Sequence, residues 1–75
     1  MPYIRIKAYP KDDKTKQKVV DEINEIFKKY WGCPESAISI SMESIDPSCW
    51  DKDVREKEIL PNQDKMMIFD GKKKY

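Results

Sequence analysis

Histidine is absent from this chain of 75 residues, and cysteine occurs only twice. Without histidine the chain has no Ser-His or Cys-His pair to activate a nucleophile, and it lacks the commonest ligand of zinc sites. Cys33 and Cys49 are too far apart in the sequence for a CxxC redox or zinc motif. We therefore predict no metal and no other cofactor. Any proton-transfer chemistry must use a carboxylate, a lysine, a tyrosine or the amino terminus.

The sequence also lacks a long apolar run and an excess of charge of one sign. No stretch approaches the roughly 20 apolar residues of a membrane span. Charged residues, among them Arg5, Lys7 and Lys11, interrupt the segment where a signal peptide would have its apolar core. The net charge is +1, which does not favour nucleic acid or an anionic membrane. We expect a cytoplasmic protein that binds neither nucleic acid nor membrane.

The length predicts one small domain that covers residues 1–75. A chain of this size buries only about 60% of its unfolded surface and is marginally stable as a monomer. Charged and hydrophobic residues each make up 39% of the sequence, so little apolar surface remains for a core. Self-association supplies buried surface that one subunit cannot provide, and it is therefore expected.

Alternation and helical spacing predict a strand, a helix and a second strand. Apolar side chains alternate with charged ones over residues 3–8, as in a half-buried strand. Residues 14–31 carry apolar side chains at helical spacing, and Gly32 is expected to end this helix. We interpret the helical stripe as core: Val19, Val20, Ile23, Ile26, Phe27, Tyr30 and Trp31.

Residues 37–44 alternate again, which predicts a second strand. A strand, a long helix and a strand form a β-α-β unit with parallel strands, so the fold class is α/β. One sheet face is left without a helix to cover it, which again favours a partner subunit.

The carboxyl-terminal third predicts a short helical segment. Asp46-Pro47 indicates a turn, and Ser48 with Asp51 resembles a capping box that opens a helix at Cys49 or Trp50. This helix is expected to reach Ile59-Leu60 and to be interrupted by Pro61. A second short helical piece is expected over residues 62–69, then a turn at Asp70-Gly71 and an exposed tail over 72–75.

Pro2 is the candidate proton-transfer residue. Methionine is normally removed when the second residue is small, and proline qualifies, so the mature chain would begin with a secondary amine. Such an amine has a basic lone pair and titrates near neutrality where its surroundings favour the neutral form. In a chain that retains Met1, the same nitrogen belongs to a tertiary amide and is not basic. Many proteins begin with Met-Pro for no catalytic reason, so the dipeptide alone decides nothing.

The order of these features resembles the 4-oxalocrotonate tautomerase family, whose small β-α-β enzymes use an amino-terminal proline. Within that family the sequence is most similar to the phenylpyruvate-type bacterial tautomerases. The resemblance covers about the first 50 residues. It rests on Pro2, the Ile6-Lys7-Ala8-Tyr9-Pro10-Lys11 run, Gly32-Cys33-Pro34, the Ile38-Ser39-Ile40 strand, and Pro47 with Trp50.

The resemblance implies a role for each matching residue. Pro2 would be the general acid and base that moves a proton between an enol oxygen and a carbon. Lys11 stands where the family commonly has an arginine that binds the substrate carboxylate, and Trp50 matches an aromatic residue that walls the pocket from a neighbouring subunit. The family also implies a homo-oligomer that acts on a small 2-oxo acid or its enol.

Ser39 departs from the founding members, which have a second arginine on this strand. One carboxylate of a diacid would then lack its partner, so we expect a monocarboxylate substrate with an apolar or aromatic tail, such as an arylpyruvate enol, bound beside Ser39. The additional carboxyl-terminal segment would alter the assembly surfaces, which favours a dimer over a hexamer.

Two alternatives to a tautomerase remain open at the level of sequence. The first is a non-catalytic interaction module on the same scaffold, which would bind a partner through its uncovered sheet face or through Met66-Met67-Ile68. The second keeps Pro2 but hydrates or dehalogenates an unsaturated acid. That chemistry needs groups that activate water, and the sequence offers no convincing set.

Overall fold

The computed structural model describes all 75 residues, which form two compact units, Met1–Ile45 and Asp46–Tyr75. In the first unit, strand β1 (Tyr3–Ala8) is followed by helix α1 (Asp13–Ile26) and strand β2 (Ser39–Ser44). The two strands pair in parallel over all six positions of each. The predicted α/β class and β-α-β unit with parallel strands are therefore confirmed.

Helix α1 begins at a side-chain cap and ends at the predicted glycine. The Asp12 carboxylate caps its amino terminus by accepting hydrogen bonds from the Thr15 backbone N–H at 3.1 Å and the Thr15 hydroxyl at 2.7 Å. Beyond Ile26 the helix widens into a π-helical turn, Phe27–Trp31. Gly32 follows in the left-handed region (φ 70°), which a residue without a Cβ adopts at little cost. The helix thus ends where it was predicted to end.

The apolar stripe of the helix is only partly core. Val20, Ile23 and Phe27 are half-buried, whereas Tyr30 and Trp31 are 75% and 71% exposed. Val19, Ile26 and Tyr30 form a separate row, because a helix turns about 100° per residue and this row lies roughly 70° from the buried one. A sheet of two strands is too narrow to cover both rows. The prediction that the whole stripe is core is wrong for the exposed residues: Val19, Ile26, Tyr30 and Trp31.

The two faces of the sheet differ in chemistry. Ile6, Ala8 and Met42 border a cavity together with residues of α1, so this face is turned towards the helix. Side chains alternate along a strand, and the other face therefore carries the residues between them. Those residues are polar and lie in matched pairs: Tyr3 with Ser39, Arg5 with Ser41, and Lys7 with Glu43.

The second unit begins at a turn whose cap differs from the predicted one. The Asp46 carboxylate accepts hydrogen bonds from the Ser48 backbone N–H at 2.9 Å and from the Ser48 hydroxyl at 2.6 Å. It thereby caps the 3₁₀ turn Pro47–Cys49, which leads through Trp50 into the π-helical segment Asp51–Ile59. The prediction of Ser48 as the cap is wrong, because an aspartate side chain that precedes a proline closes the turn two residues earlier.

The carboxyl-terminal residues form a small hairpin instead of a helix and a tail. The 3₁₀ turn Leu60–Lys65 ends the helical part, and strand β3 (Ile68–Phe69) pairs antiparallel with strand β4 (Lys72–Lys73). Asp70 and Gly71 connect the strands with positive φ angles of 48° and 81°. Two-residue hairpin turns need this geometry, so the predicted turn is confirmed and the predicted helix over 66–69 is wrong.

One ion pair and one buried side chain stand out in the second unit. The Arg55 guanidinium donates to both carboxylate oxygens of Asp70, at 2.9 and 3.2 Å, and so joins the π-helical segment to the hairpin turn. Val54 is the only buried residue of the chain, with 4% of its surface exposed. None of the helices is long and apolar enough to cross a membrane.

Candidate active site

Pro2 lies immediately before β1, beside the first residue of β2. The Ser39 backbone N–H donates a hydrogen bond of 3.1 Å to the Pro2 carbonyl, and Tyr3 pairs with Ser39 in the sheet register. Proline has no N–H to offer a neighbouring strand, and this position requires none. The structure therefore brings two of the predicted site residues, Pro2 and Ser39, to the end of the sheet where both strands begin.

Met1 lies at this end of the sheet and is largely exposed. Its ammonium group donates a hydrogen bond of 2.5 Å to the Ala37 carbonyl, but 91% of the residue is exposed. The Met1–Pro2 bond thus stands at the surface of the first unit, where a processing enzyme can approach it. Once Met1 is gone, the Pro2 nitrogen is the chain terminus beside the start of β2.

Lys11 lies beyond the opposite end of β1, at a cavity of about 160 Å³ between the sheet and α1. The wall of the cavity is almost entirely apolar. Lys16, a second lysine at the cavity, forms an ion pair with Asp13 at 3.7 Å, whereas Lys11 forms none. The cavity is lined by Ile6, Ala8, Tyr9, Lys11, Thr15, Lys16, Val19, Met42, Glu43 and Ser44.

A charged neighbour accompanies Lys11. The Thr15 hydroxyl and backbone N–H lower the pKa of the Asp12 carboxyl, and the charge of Lys11 contributes a smaller effect in the same direction. Asp12 is therefore held as a carboxylate, and its two hydrogen bonds to Thr15 occupy it as a helix cap. Lys11 remains the cation that can meet a ligand at this end of the sheet.

Pro2 and the cavity that Lys11 lines lie towards opposite ends of β1. Ile6 is the cavity residue nearest to Pro2 along β1, four positions away, and a strand rises about 3.3 Å per residue. The separation along the strand is therefore about 13 Å to the near wall of the cavity and about 20 Å to Ala8. Lys11 follows β1 beyond Ala8, at that far end of the strand.

Trp50 belongs to the second unit. Its backbone N–H donates to the Pro47 carbonyl, which closes the 3₁₀ turn, and its side chain is half-buried. The turn capped by Asp46 therefore fixes the backbone from which the indole projects.

No group of three or more cysteine, aspartate or glutamate side chains is arranged to hold a metal ion.

Sequence reasoning missed the cavity, although it named several residues that line it. The alternation over residues 3–8 and 37–44 includes Ile6 and Met42 among its apolar positions, and the helical stripe includes Val19. Alternation and helical spacing report which side chains face inward, but they do not report whether the space between them is filled. The short Ala8 side chain, at the end of an otherwise bulky row, is the only hint in the sequence.

Comparison with known proteins identifies relatives along nearly the whole chain. The chain is 32% identical over 66 residues to tautomerase PptA of Cronobacter sakazakii, an alignment that covers 85% of this chain and 87% of the relative. It is 29% identical over 73 residues to tautomerase PptA of Escherichia coli O127:H6, which covers 95% and 96%. Tautomerase PptA of an Enterobacter species is 26% identical over 73 residues, with the same coverage. No protein-family model matches the chain.

These relatives decide between the function classes that the sequence left open. They share one enzymatic name, so the interpretation as an enzyme is confirmed in preference to a non-catalytic module. The sequence resemblance to the tautomerases is confirmed as well. The chain belongs to the tautomerase family, and it is an enzyme of the isomerase type.

Proposed function

We propose that the chain interconverts the enol and keto forms of a 2-oxo acid, with Pro2 as general acid and base after removal of Met1. The main observation in support is the hydrogen bond from the Ser39 N–H to the Pro2 carbonyl. It holds Pro2, whose nitrogen becomes an amine once Met1 is removed, at the end of the sheet. The Pro2 nitrogen takes the proton from the enol oxygen, and the conjugate acid returns it to carbon. One group does both steps efficiently when its pKa is near the working pH.

Lys11 binds the substrate carboxylate in this proposal. It supplies a point charge without the fork of an arginine, so it attracts the carboxylate but fixes its orientation less strictly. Its distance from Pro2 of the same chain supports a site that two chains complete, with Pro2 from one and Lys11 from the other. A nearby cation and exclusion of water both lower the pKa of an amine, and both would act on Pro2 in such a site.

The assembly we propose is a cytoplasmic homo-oligomer, with a dimer favoured over a hexamer. The large apolar side chains left exposed on a single chain support self-association, because a stable monomer would bury more of them. They include Ile26, Tyr30, Trp31, Met67 and Ile68. Trp50 is proposed to wall the pocket and to exclude water there, and residues 1–75 are proposed to act as one functional domain.

The substrate we propose is a monocarboxylate with an aromatic tail, of the arylpyruvate class. Ser39 offers a neutral hydroxyl where binding of a second carboxylate would require a cation, and an unpaired carboxylate is costly to desolvate. The test compares kcat/KM for phenylenolpyruvate with kcat/KM for a dicarboxylate dienol. We expect the monocarboxylate to be the better substrate, and a preference for the diacid would contradict this assignment.

A further inference from the structure

We propose that the cavity between β1, β2 and α1 is the seat of the substrate's ring, and that its size admits one six-membered ring but not two fused rings. This inference rests on the proposed function, which supplies a carboxylate at Lys11. It gives the aromatic tail of that substrate a binding place and names the residues that limit the size of the tail.

The cavity wall has the chemistry of a ring-binding site. Ile6, Ala8 and Met42 form the sheet side and are half-buried, and Val19 closes the helix side with 39% of its surface exposed. Hardly any polar surface faces the interior, so water inside would lack hydrogen-bond partners. A flat apolar group is therefore favoured over water there.

The volume of the cavity matches one ring. It holds about 160 Å³. An apolar protein cavity of roughly 150 Å³ stays dry and binds benzene. A naphthyl or indolyl tail exceeds this volume, and protein interiors resist such overfilling because their neighbours are close-packed.

The position of Lys11 orients a ligand in the cavity. Lys11 is exposed, it lines the cavity, whose wall is almost entirely apolar, and it forms no ion pair. An arylalkanoate can therefore place its ring among Ile6, Val19 and Met42 while its carboxylate meets Lys11. The carbons between ring and carboxylate, where tautomerisation occurs, then remain near the mouth, accessible to Pro2 of a second chain.

The test measures binding by calorimetry, which does not require turnover, on the assembled enzyme lacking Met1. The ligands are propanoate, 3-phenylpropanoate and 3-(2-naphthyl)propanoate, which share a carboxylate and differ in the tail. We expect 3-phenylpropanoate to bind about tenfold or more tighter than either of the others, because burial of one ring is worth at least that factor.

Two opposite changes at one position test the residues that limit size. Val19→Phe fills the cavity and should weaken 3-phenylpropanoate by about tenfold or more, whereas Val19→Ala widens it and should improve the naphthyl ligand relative to the phenyl ligand. Ala8→Leu fills the cavity from the sheet side and serves as a second filling variant if Val19→Phe does not fold. Gln17→Phe adds a ring to an exposed position of the same helix outside the cavity, and this variant should bind the ligands as the unaltered chain does.

The outcomes separate this inference from the proposed function. Equal affinity for the phenyl and naphthyl ligands would overturn the cavity as the ring-binding site, even if the enzyme turns over phenylenolpyruvate. The same conclusion would follow if Val19→Phe and Ala8→Leu both fold and neither loses affinity for 3-phenylpropanoate. A different result is also informative. If ligand binding depends on the ring and changes in the Val19 variants, the cavity is the ring site. If turnover in the same protein does not depend on Pro2, the proposed function is wrong.

Discussion

The Ser39 backbone N–H donates to the Pro2 carbonyl at 3.1 Å, and this bond joins the residue before β1 to the first residue of β2. Chain ends normally fray because few contacts hold them. Here the sheet register begins at Tyr3, and one hydrogen bond reaches the carbonyl of Pro2. A catalytic amine at this position is therefore held in place before substrate binds, which is the condition for efficient proton transfer.

The first prediction concerns Lys11. Replacement by alanine should raise KM for phenylenolpyruvate more than it lowers kcat, because the ammonium group attracts the carboxylate equally in the ground and transition states. Steady-state kinetics on Lys11→Ala measures both constants. Lys14→Ala is the matched control, since Lys14 is an exposed lysine of the same region that does not line the cavity. An unchanged KM in Lys11→Ala would remove Lys11 from the site.

The second prediction follows from the distance between Pro2 and Lys11. If each site combines Pro2 of one chain with Lys11 of another, a hybrid of Pro2→Ala and Lys11→Ala chains contains one intact site. Mixing the two variants under conditions that exchange subunits should therefore restore activity at low substrate concentration. Activity of the mixture equal to the average of the separate variants would show that both residues act from the same chain.

Much of the first unit follows from the sequence because its signals are local. Alternation over β1 and the Gly32 stop depend on neighbouring residues, and the structure agrees with both. The hairpin at Asp70 was predicted only as a turn. Strands of two residues carry too little alternation to be recognised, and the Arg55–Asp70 ion pair joins residues 15 positions apart.

The cavity and the exposed helix row illustrate the other limit. Helical spacing identifies apolar residues but does not tell how much of the helix a neighbouring sheet can cover. The spacing therefore predicts Tyr30 and Trp31 as core, whereas both are exposed because the two-stranded sheet is too narrow to cover them. Likewise, the empty space beside Val19 depends on side chains from three elements, and no single segment contains that information.

The third prediction concerns stability in acid. The Arg55 hydrogen bond lowers the pKa of the Asp70 carboxyl below its ordinary value of 3.8, and the Ser48 hydroxyl does the same for Asp46. The unfolded chain therefore binds protons at a higher pH than the folded chain does. The stabilisation is fully present above about pH 4 and is lost as the pH falls through the lowered folded-state values.

Urea unfolding at pH 6 and pH 3 measures this loss for the unaltered chain and for Asp70→Asn. Asp70→Asn should have a lower free energy of unfolding at pH 6 than the unaltered chain. Its free energy of unfolding should also fall less between pH 6 and pH 3, because one of the carboxyl groups with a lowered pKa is gone. Asp64→Asn is the control, since Asp64 is an exposed aspartate of the same unit that makes no ion pair. An equal loss in Asp70→Asn and the unaltered chain would contradict the assigned role of the Arg55 pair.

The most direct measurement is the ultraviolet decay of phenylenolpyruvate with three mass-verified proteins: the chain without Met1, the chain that retains Met1, and Pro2→Ala without Met1. Only the first has a basic prolyl nitrogen. We expect it to accelerate the decay and the other two to fall by about a hundredfold or more, which is the usual contribution of a general acid-base group. Equal rates with and without Met1 would contradict the central role of the Pro2 amine.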